Sequence, residues 1–160
     1  MAPSIQRTLR QRKPFPSLQE QVVVNLIRTT HAVTQEWNIY LKQSAGLSPA
    51  QYNLLRILRG AQPGVLCLSE VADRLITRDP DVTRLVDGLA RRGLVSRNRD
   101  TTDRRVVLVE ITEAGLDLLR PLDSASTRQA LSTMAGLSTG QLQALDQLLD
   151  TLRSGIEATP

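Results

Sequence analysis

Between residues 69 and 111 the hydrophobic period changes from helical to strand-like, and that switch leaves few folds open to the chain. Ser69 reads as the cap of a short helix, Glu70 to Leu75, with Val71, Ala72 and Leu75 facing inward. Ile76 to Arg78 turn the chain. Asp79-Pro80-Asp81 opens the next helix, with acids at the positive end of the helix dipole and Pro in the first turn. Val82, Leu85, Val86 and Leu89 then form one apolar stripe at i, i+3, i+4 and i+7. Arg91-Arg92-Gly93 closes the helix, basic at its negative end and with Gly as the stop. Leu94 to Asn98 and Arg105 to Ile111 read as two strands, joined by a polar tip from Arg99 to Arg104.

The flanks are helical. Leu18, Val22, Leu26, Val33, Trp37 and Tyr40 recur at helical spacing, with Val23, Ile27 and Leu41 widening the stripe to about Gln43. Gly46 marks the stop. A helix of about seven turns is long for a small domain and suits packing on a partner chain. Ser48-Pro49-Ala50-Gln51 is a capping box with Pro at the first helical position, and Leu47 and Tyr52 are spaced for a hydrophobic staple across it. Leu54, Leu55 and Leu58 continue the buried face to Gly60, and Val65 to Leu68 is a short strand. Thr112 caps a further helix carrying Leu116, Leu118, Leu119 and Leu122. Pro121 sits too deep for a first turn, so a kink or break is expected there. Ser138 to Gln141 is a second capping box, opening a final helix with Leu142, Leu145, Leu148, Leu149 and Leu152.

The order α-α-β-α-α-β-β-α-α is that of a mainly α winged helix-turn-helix with long N- and C-terminal dimerisation helices. It divides into a basic flexible arm (1–17), a dimerisation domain (18–47 with 112–160) and the winged helix-turn-helix itself (48–111). Its second helix buries Val82, Leu85, Val86 and Leu89, so it presents Asp81, Thr83, Arg84, Asp87 and Gly88 to solvent, where its first turn can enter a major groove.

Charge supports a one-sided polyanion contact. The chain holds 18 Arg and 2 Lys, for a net charge of +4. Arg7, Arg10, Arg12 and Lys13 stand in the arm with no acid before Glu20, and residues 91–105 carry six Arg against two Asp. Residues 112–160 hold three Arg against six acids. A basic edge with an acidic far side fits a protein that meets DNA on one side. Other classes fall away. One Cys and one His cannot build a structural zinc site, and neither a hydrolytic triad nor any other cofactor or metal site is assembled. There is no apolar run near 18 residues, hence no membrane span, and no signal-peptide pattern. A single cysteine suits the reducing cytoplasm.

The stretch from Asp81 to Leu119 resembles the MarR family of bacterial transcription regulators. The matching motifs are Thr83-Arg84-Leu85 in the recognition helix, Arg92-Gly93-Leu94-Val95 at its exit, Asp103-Arg104-Arg105 in the wing, and Ile111-Thr112-Glu113-Ala114-Gly115 at a helix start. Leu47 to Leu58 resembles the family's second helix, and the resemblance covers about 18–155. It implies a homodimer whose first and last helices intertwine, binding double-stranded DNA at an inverted-repeat operator. It further implies a repressor, not an enzyme, released by a small phenolic or lipophilic effector, or by an oxidant, near the junction of the dimerisation and DNA-binding parts. The recognition segment departs from the family in its acids, Asp79, Asp81 and Asp87, and the wing tip in Thr101-Thr102.

The candidate DNA contacts are Arg78, Asp81, Thr83, Arg84, Arg99, Asp103 and Arg104. Thr83 and Arg84 suit phosphates or base edges. Asp81 either accepts from a cytosine amino group or serves the helix dipole, and Asp79 reads as a cap. Arg99 suits a phosphate. Arg104 beside Asp103 either reaches DNA or braces the hairpin, and Arg105 supports the wing from inside. His31, Trp37 and Tyr40 on the long helix are effector candidates, against packing at the dimer interface for Trp37 and Tyr40 and a solvated His31. Cys67, amid Val65, Leu66 and Leu68, reads as a packing residue in preference to a redox sensor. The alternative from another class is a winged-helix protein-interaction module without DNA binding, supported by the nearly neutral recognition segment.

Overall fold

The computed structural model describes residues 4–77 and 81–158. The candidate contact Arg78, and Asp79-Pro80 at the expected helix opening, lie outside the described residues. The elements run α1 (Ile5–Thr8), α2 (Leu18–Ala45), α3 (Pro49–Gly60), β1 (Leu66–Cys67), α4 (Leu68–Arg74), α5 (Val82–Ala90), β2 (Val95–Arg99), β3 (Val107–Ile111), α6 (Glu113–Met134) and α7 (Thr139–Glu157). Two compact units divide them, one ending at Leu122 and the other starting at Asp123.

In the first unit the three strands form an antiparallel sheet in the order β1-β3-β2. Leu66 lies opposite Val109 and Val95 opposite Ile111. These four side chains are buried with Leu41 of α2, Leu54, Leu55 and Leu58 of α3, Val71 of α4, and Val82, Val86 and Leu89 of α5. One core therefore holds α3, α4 and α5 against the sheet. The expected apolar stripe of α5 is the buried one, with Leu85 at its margin.

Local chemistry sets the ends. Ser48 and Gln51 make the reciprocal capping box at α3, and Leu47 and Tyr52 on either side of it are both buried. Gly46 ends α2 with φ +60°, the left-handed conformation that disfavours any side chain. Thr112 knits the wing to α6. Its hydroxyl donates to the Gly93 carbonyl (2.7 Å) and accepts from the Gly115 N–H (3.2 Å), while its own N–H donates to the Leu94 carbonyl (3.1 Å). Arg92, just past the end of α5, donates from its two terminal nitrogens to the carbonyls of Ala45 (2.8 Å) and Gly46 (2.9 Å) at the end of α2.

Several details differ from expectation. The arm is not featureless: it holds the one-turn helix α1, with Ile5 buried. Ile5 and Leu9 stand at helical spacing, but so short a pattern amid basic and polar residues does not announce a helix. The cap of α4 is Cys67, not Ser69, because the Glu70 carboxylate reaches back to the Cys67 N–H at 2.8 Å and draws the helix start upstream. Helix α6 runs through Pro121, which is exposed, so the carbonyl one turn earlier that loses its donor faces water. The strands start later, at Val95 and Val107, and Arg105 lies exposed in the turn.

The Cys67 N–H, then the Cys67 thiol, and last the charge of Arg74 hold the Glu70 carboxyl below its ordinary range. A lowered folded pKa contributes stability that is complete above the unfolded value and lost as pH falls through the folded one. Glu70→Gln will therefore flatten the acid limb of the stability-against-pH curve, measured by denaturant midpoints between about pH 5 and pH 3.

In the second unit the C-terminal part of α6 precedes α7, which starts on the Ser138–Gln141 capping box. Helix α7 buries no residue, and Leu145, Leu148, Leu149, Leu152 and Ile156 are exposed. Among the described residues no helix is long and apolar enough to cross a membrane.

Candidate nucleic-acid interface

Helix α5 presents two faces. Val82, Val86 and Leu89 are buried, whereas Thr83, Arg84 and Arg91 are exposed. Asp81 is the cap, its carboxylate accepting from the Arg84 N–H at 2.9 Å. This bond satisfies one of the helix's first-turn donors. Gly88, expected on the solvent face, instead looks toward α3: a side chain there would come within 3.2 Å of the Gln51 Nε2.

The wing lies beside this face. Arg97 of β2 is directly opposite Val109, so the strand register turns it to the side of the sheet that packs α5. There its guanidinium donates to the Asp87 carboxylate at 2.5 Å. The Arg91 Nε donates to the Asp87 carbonyl at 3.3 Å. Asp81, Thr83, Arg84, Asp87, Arg91 and Arg97 line an open cleft of about 580 Å³ between the helix and the strand. Reading the sequence for exposed helix positions missed Arg97, because what turns it to the helix is strand pairing; its spacing from the recognition helix says nothing.

Two Asp residues shape the tip. Asp100 accepts from the Thr102 N–H (2.7 Å) and Asp103 from the Arg105 N–H (2.9 Å), each bending the chain through its own side chain. Asp103 thus builds the turn, and Arg104 and Arg105 stand exposed on it. Arg99 ends β2, paired with Val107, and is exposed.

The effector candidates separate. Trp37 and Tyr40 stack with ring centroids 5.4 Å apart, and Tyr52 of α3 meets Trp37 edge-on at 5.3 Å. Arg56, one turn after Tyr52, holds its guanidinium 5.7 Å from the Tyr52 ring centre. The Tyr52 hydroxyl is buried without a hydrogen-bond partner among the described residues. His31 is exposed and is not part of this stack. Tyr52 and Arg56 extend the group beyond the effector candidates read from sequence; their i, i+4 spacing was the available signal. Cys67 is half-buried, with its Sγ 3.0 Å from the Ser69 Oγ, a more polar setting than its apolar neighbours suggest.

The MarR family model matches residues 47–107, from the start of α3 to the returning strand of the wing. The crystal structure of a MarR transcription factor from Planctomyces limnophilus is 36% identical, covers 86% of this chain and 99% of its own, and superposes with a TM-score of 0.66. The chain belongs to the MarR family. The HTH-type transcriptional regulator MhqR of Bacillus subtilis is 26% identical over 86% of this chain and 92% of its own. Sco3205 of Streptomyces coelicolor, a MarR family regulator solved in complex with DNA, shares the fold with a TM-score of 0.79 at 21% identity, covering 93% of this chain and 95% of its own. This MarR-family protein is accordingly a transcriptional regulator and not an enzyme, and its fold is the winged helix-turn-helix.

Proposed function

We propose that this protein binds an inverted-repeat operator in double-stranded DNA as a homodimer and represses transcription until a small aromatic effector releases it. One observation carries the reading: Thr83, Arg84 and Arg91 share the exposed face of α5, and the wing strand brings Arg97 beside them. A helix face of this composition beside a basic strand has the dimensions and chemistry to enter a major groove while the wing follows the backbone. Arg99, Arg104 and the basic arm extend the same charge for phosphate contact, and Asp81 and Asp103 act by shaping the helix start and the tip. Such work belongs to the cytoplasm.

The exposed stripe Leu145, Leu148, Leu149, Leu152 and Ile156, with Leu18, Val22, Val23, Leu26 and Ile27 on α2, supports dimerisation through residues 18–47 and 112–160, leaving 48–111 to DNA. A two-fold axis then sets half-sites one helical turn apart or a multiple of it. The Trp37, Tyr40 and Tyr52 group, with its unpartnered hydroxyl and the nearby Arg56 cation, supports a small phenolic or aromatic acid as effector. BpsR of Bordetella bronchiseptica, 26% identical over 83% of this chain, has its DNA binding regulated by 6-hydroxynicotinic acid.

The test is a duplex selected from random sequence, titrated over a salt series with light scattering of the complex. Counterion release predicts affinity falling steeply with salt, two chains per duplex, and a symmetric recovered sequence. A salt-independent signal, or a failure to enrich any sequence, would favour the protein-interaction alternative, and one chain per duplex would remove the dimer.

A further inference from the structure

An acid stands in the middle of the basic face. Asp87 stands one turn after Thr83 and one before Arg91, on the cleft side of α5, where a bound duplex would bring base edges and the phosphates beside them. Its carboxylate holds the Arg97 guanidinium at 2.5 Å, yet both side chains remain well exposed, at 45% and 38%. An exposed pair of this kind stabilises a fold very little. Its cost to a protein that binds a polyanion is larger: it cancels one of the cleft's cations and adds a negative charge near phosphate.

We propose that Asp87 is a specificity-determining residue, which works by withholding Arg97 from sequence-independent phosphate contact. The inference rests on the DNA-binding reading above. On random duplex, Arg97 stays paired and the face binds weakly. On the operator, a base-edge donor replaces Arg97 as the partner of the carboxylate. Cytosine presents such a group in the major groove, its N4 amino, with no acceptor on the same base to repel the acid. Arg97, released, then takes a phosphate of the adjoining backbone. The pair thus penalises wrong sequences as well as rewarding the right one, which is how discrimination is commonly raised. It also gives the acidic recognition segment, anomalous for a DNA reader, a use.

The experiment compares wild type, Asp87→Asn, Arg97→Gln and the double variant on the selected operator and on a scrambled duplex across a salt series, with melting temperatures as the folding control. Asp87→Asn is expected to tighten scrambled DNA on the order of tenfold and to steepen the salt slope by about 2 per dimer, one new phosphate contact for each chain. Operator binding gains less, so the ratio of the two affinities falls. In the Arg97→Gln background the Asn substitution no longer adds to the slope. Weaker binding to both duplexes with an unchanged slope would mean that Asp87 only braces the wing, and would overturn the proposal. If wild type binds neither duplex, the DNA-binding reading itself fails; if wild type binds both normally and Asp87→Asn changes nothing, only this inference fails.

Discussion

Gly115→Ala will destabilise the fold by about 3 kcal/mol, at the upper end of ordinary overpacking costs. A Cβ at this position would lie 2.3 Å from the Leu94 carbonyl oxygen and 2.7 Å from Ile111 Cγ1. The first obstacle is backbone, and it is backbone already in use, since that oxygen accepts from the Thr112 N–H. It cannot retreat without loosening the junction where the wing's first strand meets the start of α6. Ile111 is buried opposite Val95, so it cannot turn away either. The opposing term is the helix propensity of Ala over Gly, about 1 kcal/mol, which is smaller than the clash. On this scale the melting temperature should fall by roughly 6–12 °C. Gly140→Ala is the control, because nothing lies within 4 Å of a Cβ there and the residue sits in the first turn of α7. That change should leave the melting temperature level or slightly raised. Equal effects at the two glycines would remove the steric explanation.

Arg84→Ala should do the reverse, leaving the fold intact and disabling the operator complex. The Arg84 side chain is exposed and outside the core, and its backbone N–H stays capped by Asp81 whatever the side chain. Loss of a base-edge contact costs about 1–3 kcal/mol for each half-site, so a dimer loses roughly thirtyfold at least. If Arg84 meets phosphate alone, operator and scrambled duplex weaken alike and the salt slope drops by about 1 per chain. The slope and the operator-to-scrambled ratio therefore tell the two roles apart. Unchanged affinity and slope would take Arg84 off the DNA face.

Much of the fold was legible because its signals are local. The two capping boxes at Ser48 and Ser138, the stop at Gly46 and the stripe of α5 each lie within a few residues and were read correctly. The failures share a different physics. Cys67 became the cap of α4 through a carboxylate three residues on, while Ser69 had the better intrinsic propensity. Pro121 was tolerated because the helix surface there is open to water. At the candidate interface, Thr83 and Arg84 followed from helical periodicity. Arg97 and the unpartnered Tyr52 hydroxyl did not, since each depends on a neighbour brought by tertiary packing: β3 aligns Arg97 toward α5, and Trp37 of α2 covers the Tyr52 ring. Asp103 read as ambiguous because an Asp beside an Arg has the same sequence signature whether it bends a turn or meets a cation.

The two hydrogen bonds from Arg92 to the last carbonyls of α2 make the exit of the recognition helix and the end of the longest helix one mechanical joint. A cation at the negative end of a helix is favoured there, so the joint is held by charge as well as by geometry. A displacement at that end of α2 then reaches α5 through these bonds as well as through the core that Leu41 and Ala45 share with Val86 and Leu89. Coupling of this sort is reciprocal: a molecule that lowers operator affinity by some factor must itself be bound more weakly, by that same factor, once the operator is occupied. The amount of operator DNA in a cell therefore enters the dose response to any effector, and a threshold measured on free protein will lie below the one that operates on the promoter.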